Sequence, residues 1–348
     1  MKKLLVTALF LVFAVTAFAT DFSFYGSLRF STFYTSTNSD YNDYNYGVDE
    51  SDLDIYNWGN TAISRLGVKA DIGNGLKARI EMGLKGSNKG NTVYTRLYYV
   101  DYNMGALTLR LGQDYTPVGT GVDQVFDSDN DMAGFGALYE GRIPQIKLMA
   151  GGFQLALISP KKTGNGTQFD SVLPKIEAAY KFKVDPVSLG LEAGYTTYKY
   201  DDDFGASDET FTAYVLAAEA DFNVNVVDVY LSGFYGTNLA DYGFSNLANS
   251  TYLVASDDDT TTWGAIVGLT FKVADNIKAT VGYGYTKMDN DAWAENDEQQ
   301  AYFANLKYAI NKNFFIQPEV GVYDYMKDNN DVDEGKMVYF GAKWQVNF

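Results

Sequence analysis

The sequence predicts an all-β protein whose strands close into an antiparallel transmembrane barrel of about sixteen strands. Segments of about ten residues alternate apolar with polar side chains, and long polar connections alternate with short turns along the whole chain. The composition agrees, because 28 Tyr, 23 Phe and 33 Gly accompany a mean hydropathy of -0.20. A barrel with an apolar outside and a polar lumen averages as a polar chain in this way.

The first residues have the three parts of a secretory signal peptide. A basic start precedes an apolar run at 4–15 and an Ala-Phe-Ala cleavage site that ends at Ala19. We therefore expect residues 1–19 to be removed and residues 20–348 to form one barrel domain. A membrane anchor is the alternative, but the apolar run is short for a spanning helix.

The strand pattern also predicts how the barrel closes. Both Trp263–Val273 and the terminal segment Met337–Phe348 carry an apolar residue at every second position. A strand in lipid needs a partner on each edge, so we predict that the terminal strand pairs with Phe22–Tyr34. An even strand number then places both chain ends on the periplasmic side, where turns are short. Pro318 inside a strand, together with two short strands near residue 150, leaves fourteen and eighteen strands open.

Composition and charge exclude several classes of function. The chain has no Cys and no His, which removes disulfides, the usual general base and the commonest metal ligand. We predict that the protein is not an enzyme and has no cofactor. A formal net charge of -17 does not fit a nucleic-acid partner. Acidic runs such as Asp201-Asp202-Asp203 offer carboxylate oxygens to calcium or magnesium, but they lack EF-hand spacing. We therefore favour the alternative, in which there is no metal site and diffuse cations bridge the runs to surface polysaccharide.

Charged residues of two signs mark a candidate site in the lumen. The predicted inward face of the first third of the chain is basic, with Arg29, Arg65, Lys69, Lys77, Arg79, Arg96 and Arg110. The longest connection, Gln113–Ile143, is acidic, with Asp114, Asp123, Asp127, Asp129, Asp131 and Glu140. A loop this long is usually functional or disordered.

If this connection folds inward, its carboxylates face the basic residues across a narrow gap. Charged side chains at a constriction set ion selectivity, because the field is focused there. In the alternative interpretation, the arginines pair with glutamates of the lumen wall and only keep the lumen polar. Those glutamates are Glu81, Glu177, Glu192 and Glu219.

Short motifs carry a family resemblance over the whole mature chain. They are the signal peptide, Phe24-Tyr25-Gly26-Ser27-Leu28-Arg29, Ile72-Gly73-Asn74-Gly75-Leu76-Lys77-Ala78, Leu109-Arg110-Leu111-Gly112-Gln113 and the terminal Phe348. With them the chain resembles the bacterial outer-membrane porins, and within these the sixteen-stranded trimeric branch. The resemblance implies that the loop at 113–143 folds into the lumen and narrows it. It also implies that Phe348 belongs to the signal read by the barrel-assembly machinery during insertion.

The resemblance implies a homotrimer in the outer membrane, in contact with lipid and lipopolysaccharide. The leading functional hypothesis is a water-filled channel for passive diffusion of small hydrophilic solutes and ions. A channel selective for small organic anions such as carboxylates is the second, because Gln113–Gly119 is similar to the corresponding stretch of porins for small organic acids. A structural or adhesive barrel with a plugged lumen is the third.

Overall fold

The computed structural model describes residues 21–47, 53–87, 90–160, 169–171, 173–200, 210–244 and 258–348. The predicted signal peptide lies outside these residues. Within them the strands are β1 (Asp21–Thr37), β2 (Leu53–Gly73), β3 (Leu76–Ser87), β4 (Gly90–Asn103), β5 (Thr108–Tyr115), β6 (Arg142–Ala150), β7 (Phe153–Ile158), β8 (Phe169–Ser171), β9 (Lys175–Val184), β10 (Val187–Tyr200), β11 (Thr210–Val224), β12 (Val227–Thr237), β13 (Thr261–Ala274), β14 (Ile277–Asp289), β15 (Asp297–Ala309), β16 (Phe314–Asp324) and β17 (Lys336–Asn347).

Short helical segments lie in the connections of the described chain. They are α1 (Ser39–Tyr46), α2 (Phe126–Asp129) and a 3₁₀ turn (Leu239–Tyr242). Helix α1 begins at Asn38, whose side chain accepts a hydrogen bond from Tyr41 N, and ends at Gly47 in the left-handed region. None of the helices in the described residues has both the length and the apolar character needed to cross a membrane.

The strands form one closed antiparallel sheet. Each pairs with its neighbours along the chain, and β17 pairs with β1. β8 and β9 follow one another along β10, so they are two pieces of a single wall strand. The described barrel therefore has sixteen wall strands, which confirms the predicted number.

The terminal strand closes the barrel as predicted. Thr37 lies opposite Met337, and the pairing continues down to Ser27 opposite Asn347. Phe348 extends it, since its N–H donates to Gly26 O at 3.1 Å and its carbonyl accepts from Gly26 N at 2.8 Å. The other edge of β17 pairs with β16, so the last strand has a partner on both sides.

Apolar side chains face outward and polar ones face the lumen. In β13, Trp263 and Val273 are 42% and 61% exposed, whereas Thr262, the neighbour of Trp263, is fully buried. This arrangement is the reverse of a soluble sheet packed on a core. No bulge forms at Pro318, because β15 and β16 keep one register on both sides of it and only the pairing near Pro318, which has no N–H to donate, is interrupted.

Candidate functional site: the lumen loop and the charged wall

The connection between β5 and β6 crosses the inside of the barrel, and we call residues 116–141 the lumen loop. The predicted bounds, 113–143, are wider because both flanking strands extend further than expected. Asp114 therefore belongs to strand β5 and not to the loop, which corrects its predicted position. The loop contacts wall strands far around the barrel, from β9 to β17 and on to β1.

Glu319 on β16 holds the middle of the lumen loop. Its two carboxylate oxygens accept hydrogen bonds from Val125 N at 2.8 Å and from Phe126 N at 2.9 Å. Asn305 Nδ2 on β15 donates to the same carboxylate at 3.0 Å. Hydrogen bonds to an ionised acceptor are stronger than neutral ones, so this buried glutamate is a firm anchor.

Two further wall glutamates hold the beginning of the loop. Glu177 on β9 accepts from Val118 N at 2.9 Å, and Glu192 on β10 accepts from Gly119 N at 2.8 Å. Both carboxylates are buried. The sequence indicated that these glutamates face the lumen and offered arginines as their partners, but in the structure they bind the loop backbone. Glu319 was not singled out, although its inward position in a strand could have indicated it.

Aromatic packing completes the attachment of the loop. The ring of Phe126 stacks on Tyr339 with centroids 3.9 Å apart, and Phe135 stacks on Tyr323 at 4.3 Å. Gly136 lies against the wall with φ +94°, and a Cβ there would meet Ala265 O at 2.3 Å. Only glycine fits this close approach, so the loop lies directly on the wall of β13 to β17.

Three of the predicted basic residues gather around one buried glutamate. Glu81 contacts Arg96 at 2.7 Å, Arg79 at 2.9 Å and Arg65 at 3.9 Å, and Tyr25 OH donates to it at 2.8 Å. We call these three arginines with Glu81 the arginine cluster. Its formal charge is +2. The side chains of Arg65 and Arg79 are 21% and 26% exposed to the lumen, whereas Arg96 is buried.

A β-bulge places Arg96 in the cluster. Glu81 on β3 pairs with Leu97, and the next residue, Met82, pairs with Thr95, so Arg96 is the extra residue of β4. Its guanidinium donates to Tyr115 OH at 3.0 Å as well as to Glu81. The bulge therefore turns the Arg96 side chain toward Glu81 and Tyr115.

Arg110 is neutralised by carboxylates on its own wall. It bonds Asp101 at 2.7 Å and Asp114 at 2.6 Å, and its guanidinium lies 3.8 Å from the centre of the Tyr99 ring. Asp114 also bonds Lys147 at 2.8 Å. Arg110 is therefore balanced by two aspartates and by none of the four glutamates of the alternative interpretation, whereas Arg65, Arg79 and Arg96 share one of those glutamates, Glu81.

The other predicted basic residues occupy different surroundings. Arg29 forms an ion pair with Asp129 of the lumen loop, so it bridges loop and wall. Lys77 pairs with Asp71 at 3.7 Å, and both are well exposed at the end of the barrel where turns are short. Lys69 lies with Nζ 5.3 Å from the centre of the Tyr25 ring, beside the arginine cluster.

The acidic residues of the loop divide into paired and open ones. Asp129 bonds Lys343 at 2.7 Å in addition to Arg29, and Glu140 forms a buried ion pair with Lys175. Asp123, Asp127 and Asp131 are exposed within the barrel. The loop therefore presents only part of its acidic set to lumen water.

Asp123 and Asp131 line a recess of about 440 Å³ on the open face of the loop. The recess also includes Tyr139, whose ring lies 6.5 Å from that of Tyr115. The hydroxyl group of Tyr115 accepts a hydrogen bond from Arg96. The two tyrosines therefore connect the acidic face of the loop to the arginine cluster.

Three loop carboxylates have a raised pKa. Burial raises the pKa of Asp127. Enclosure by the barrel and then the charges of Asp129 and Asp123 raise the pKa of Asp131, although its side chain reaches lumen water. Burial raises the pKa of Glu140, and Glu177 adds to this against the opposing effect of Lys175. The negative field of the loop is therefore weaker than its number of carboxylates indicates. In the described residues, no group of three or more carboxylates is arranged to hold a metal ion.

A closed sixteen-stranded barrel with an apolar outside and a charged lumen defines a channel of the outer-membrane kind. The sequence model of the Gram-negative porin family matches residues 6–347. The chain therefore belongs to this family and is a porin channel of the bacterial outer membrane.

Solved structures agree on the fold. The outer membrane channel DcaP of Acinetobacter baumannii has 19% identity and a TM-score of 0.72, covering 94% of this chain and 97% of that chain. The anion-selective porin from Comamonas acidovorans and the trimer form of OmpT from Vibrio cholerae each have 14% identity and a TM-score of 0.61, covering 94% of this chain and 99% of theirs. No curated protein sequence matches the chain.

Proposed function

We propose that the channel is water-filled, passes small hydrophilic solutes by passive diffusion, and favours small organic anions such as carboxylates. The observation that carries this preference is the arginine cluster, in which three arginines share one carboxylate. Two positive charges are left without a partner in the cluster, and Arg65 and Arg79 reach lumen water. At about 5 Å and an effective dielectric constant of about 20, one such charge attracts an anion by roughly 3 kcal/mol.

The arrangement around the cluster supports the same preference. Arginine presents a planar fork that matches a carboxylate, and the open acidic residues of the loop, Asp123 and Asp131, line a recess that Tyr115 connects to the cluster. Opposite charges across a narrow passage orient dipolar solutes and disfavour apolar ones. One structure with the same fold is an anion-selective porin, which agrees with the proposal.

Neutralising Arg65 and Arg79 together tests the anion preference. We expect the double variant R65Q/R79Q to shift the reversal potential across a KCl gradient toward that of a non-selective pore. The matched control is K183Q, which removes one charge from an exposed lysine paired with Asp185 near a short turn. A reversal potential that R65Q/R79Q leaves unchanged would contradict the proposal. Arg29 and Arg110 are poorer targets, because each is already paired.

Two other functions, a plugged structural or adhesive barrel and an enzyme, are less well supported than a channel. A plugged structural or adhesive barrel predicts that the reconstituted protein is impermeable to ions, so conductance recording separates it from a channel. We also propose that the protein has no catalytic activity. The sequence has no His and no Cys, so it cannot form the Ser-His-Asp or Cys-His arrangements of hydrolases.

We further propose that the channel is a homotrimer, that lipopolysaccharide surrounds its outer loops, and that the assembly machinery reads Phe348. We expect removal of Phe348 to lower the amount of barrel in the outer membrane while the conductance of the inserted fraction stays unchanged. The substitution Phe348→Ala keeps the backbone bonds to Gly26 and removes only the ring. It therefore separates recognition of the aromatic end from closure of the barrel. Normal surface levels of both variants would contradict a role in assembly.

A further inference from the structure

A second recess lies beneath the lumen loop, at the end of the barrel where the turns are short. It has a volume of about 530 Å³, and Gly121, Val122 and Asp123 of the loop form part of its lining. None of the residues of the arginine cluster contributes to it. The recess is therefore separate from the site that carries the anion preference, and a solute that has passed the loop meets it next.

One side of this recess is basic. Lys278 on β14 lies directly opposite Lys307 on β15, and Lys272 on β13 lies directly opposite Lys278. Like charges opposite one another in a sheet are unfavourable. In the described part of the chain, no ion pair involves these lysines or the nearby Lys312. The row therefore has positive charge available for a solute.

The basic side also has an apolar floor. The ring of Phe315 lies 4.3 Å from Lys307 Nζ and 5.7 Å from Lys343 Nζ. Lys343 is bonded to Asp129 of the loop, so it is occupied, whereas Lys307 forms no ion pair in the described residues and has the ring contact and the more distant charge of Asp123. A solute carboxylate can approach Lys278 and Lys307 over the ring.

The other side of the recess is acidic. Asp221 on β11 and Asp228 on β12 line it together with Tyr230. Asp228 accepts a hydrogen bond from Asn223 Nδ2. Asp221 interacts electrostatically with Glu219, Lys181 and Asp228. Two further carboxylates line the recess away from this side: Asp123 of the loop, whose charge acts on Lys307, and Asp275 in the turn between β13 and β14.

Two threonines separate the acidic side from the basic side. Thr270 lies opposite Asp228 and Thr280 lies opposite Thr270 in the register of β12 to β14, and their hydroxyl oxygens are 2.9 Å apart. Neighbouring strands are about 4.8 Å apart, so the strands of Asp228 and Lys278 are roughly 10 Å apart. Each threonine has a hydroxyl group that can bond a polar backbone between the two charged sides.

We propose that this recess binds short zwitterionic peptides, with the ammonium group at Asp221 and Asp228 and the carboxylate at Lys278 and Lys307. A simple anion does not fit as well, because four carboxylates line the recess beside three lysines. An extended chain advances about 3.3–3.6 Å per residue, so a peptide of two or three residues spans the separation of the charges. A single amino acid carries its two charges too close together to reach both sides.

The test compares triglycine with its two capped forms on single channels of the full protein in a planar bilayer. Triglycine carries both charges, N-acetyl-triglycine only the carboxylate and triglycine amide only the ammonium group. We expect saturable block of the current by triglycine, at a concentration about three- to tenfold lower than for either capped form, because each capped form loses one charged contact. Block that is equally weak for all three peptides, or absent, would overturn the proposal.

Two double variants test which charged group of the peptide each side of the recess binds. We expect K278Q/K307Q and D221N/D228N each to weaken block by triglycine about three- to tenfold. Only K278Q/K307Q is expected to weaken binding of the acetylated peptide. The control K183Q/D185N neutralises an exposed pair at the same end of the barrel and outside the recess. Unchanged block in both test variants would contradict the assignment.

The anion preference of the arginine cluster and the peptide site in the recess are tested by independent measurements. The reversal potential in KCl depends on the arginine cluster and is measured without peptide on the same channels. A channel that prefers chloride and ignores triglycine would contradict only the peptide site. The comparison of capped and free triglycine on the wild-type channel needs no variant, so it decides the question even if a double variant does not fold.

Discussion

Replacing Glu319 with glutamine is expected to convert a steady open current into one that fluctuates between levels. Both oxygens of this carboxylate accept backbone N–H groups, one from Val125 and the other from Phe126. Glutamine offers one oxygen, and its NH₂ group would face a backbone donor. A buried donor without an acceptor costs about 1–3 kcal/mol, which is enough for the middle of the loop to leave the wall for part of the time.

Hydrogen exchange measures this change directly. In E319Q we expect faster exchange at the amides of residues 123–131, while Val118 and Gly119 stay protected because Glu177 and Glu192 still hold them. The matched control is E298Q, since Glu298 on β15 pairs with Lys287 at 3.1 Å and is not among the described contacts of the loop. Equal current noise and equal exchange in E319Q and the wild type would show that the aromatic packing alone holds the loop.

The strands and their closure could be predicted because a period of two is local information. Met337–Phe348 shows its apolar face without reference to any other segment, and lipid requires that such a strand pair on both edges. The predicted partner and the strand number follow from that requirement. Pro318 shows the limit of local reasoning, because the neighbouring strands keep their register in spite of the missing donor.

The pairing of charges could not be predicted in the same way. Arg65 and Arg110 look alike in sequence, since each is an inward arginine on an alternating strand. Arg110 has Asp101 opposite it and Asp114 four residues later, whereas Arg65 shares Glu81 with two other arginines. Which arginine keeps a free charge depends on cross-strand register and, for Arg96, on one bulge.

The partners of the lumen loop depend on contacts that are distant in sequence. Glu319 is 193 residues from Phe126, and no periodicity connects them. The sequence could indicate that the loop folds inward, through its length and acidity. It could not indicate that wall glutamates would accept its backbone N–H groups, because that requires knowing which part of the wall the loop reaches.

Replacing Glu81 with glutamine is expected to destabilise the barrel and to increase its anion preference at the same time. Glu81 and Arg96 are both buried, and removing one partner of a buried ion pair typically costs 3–5 kcal/mol because the other charge stays uncompensated. The formal charge of the arginine cluster also rises from +2 to +3 in E81Q. We expect a lower midpoint of urea unfolding together with a larger reversal potential in a KCl gradient.

The variants R96Q and E81Q/R96Q separate stability from selectivity. R96Q leaves Glu81 with Arg79 and Arg65, so we expect a smaller loss of stability than in E81Q, and a weaker anion preference because the cluster charge falls to +1. The double variant restores the charge to +2 with a neutral pair, so it should regain part of the stability and return toward wild-type selectivity. If the cluster only held the wall together, unfolding midpoints would change across the three variants while reversal potentials stayed constant. Selectivity that follows the cluster charge in both directions requires these arginines to act on the permeating ion.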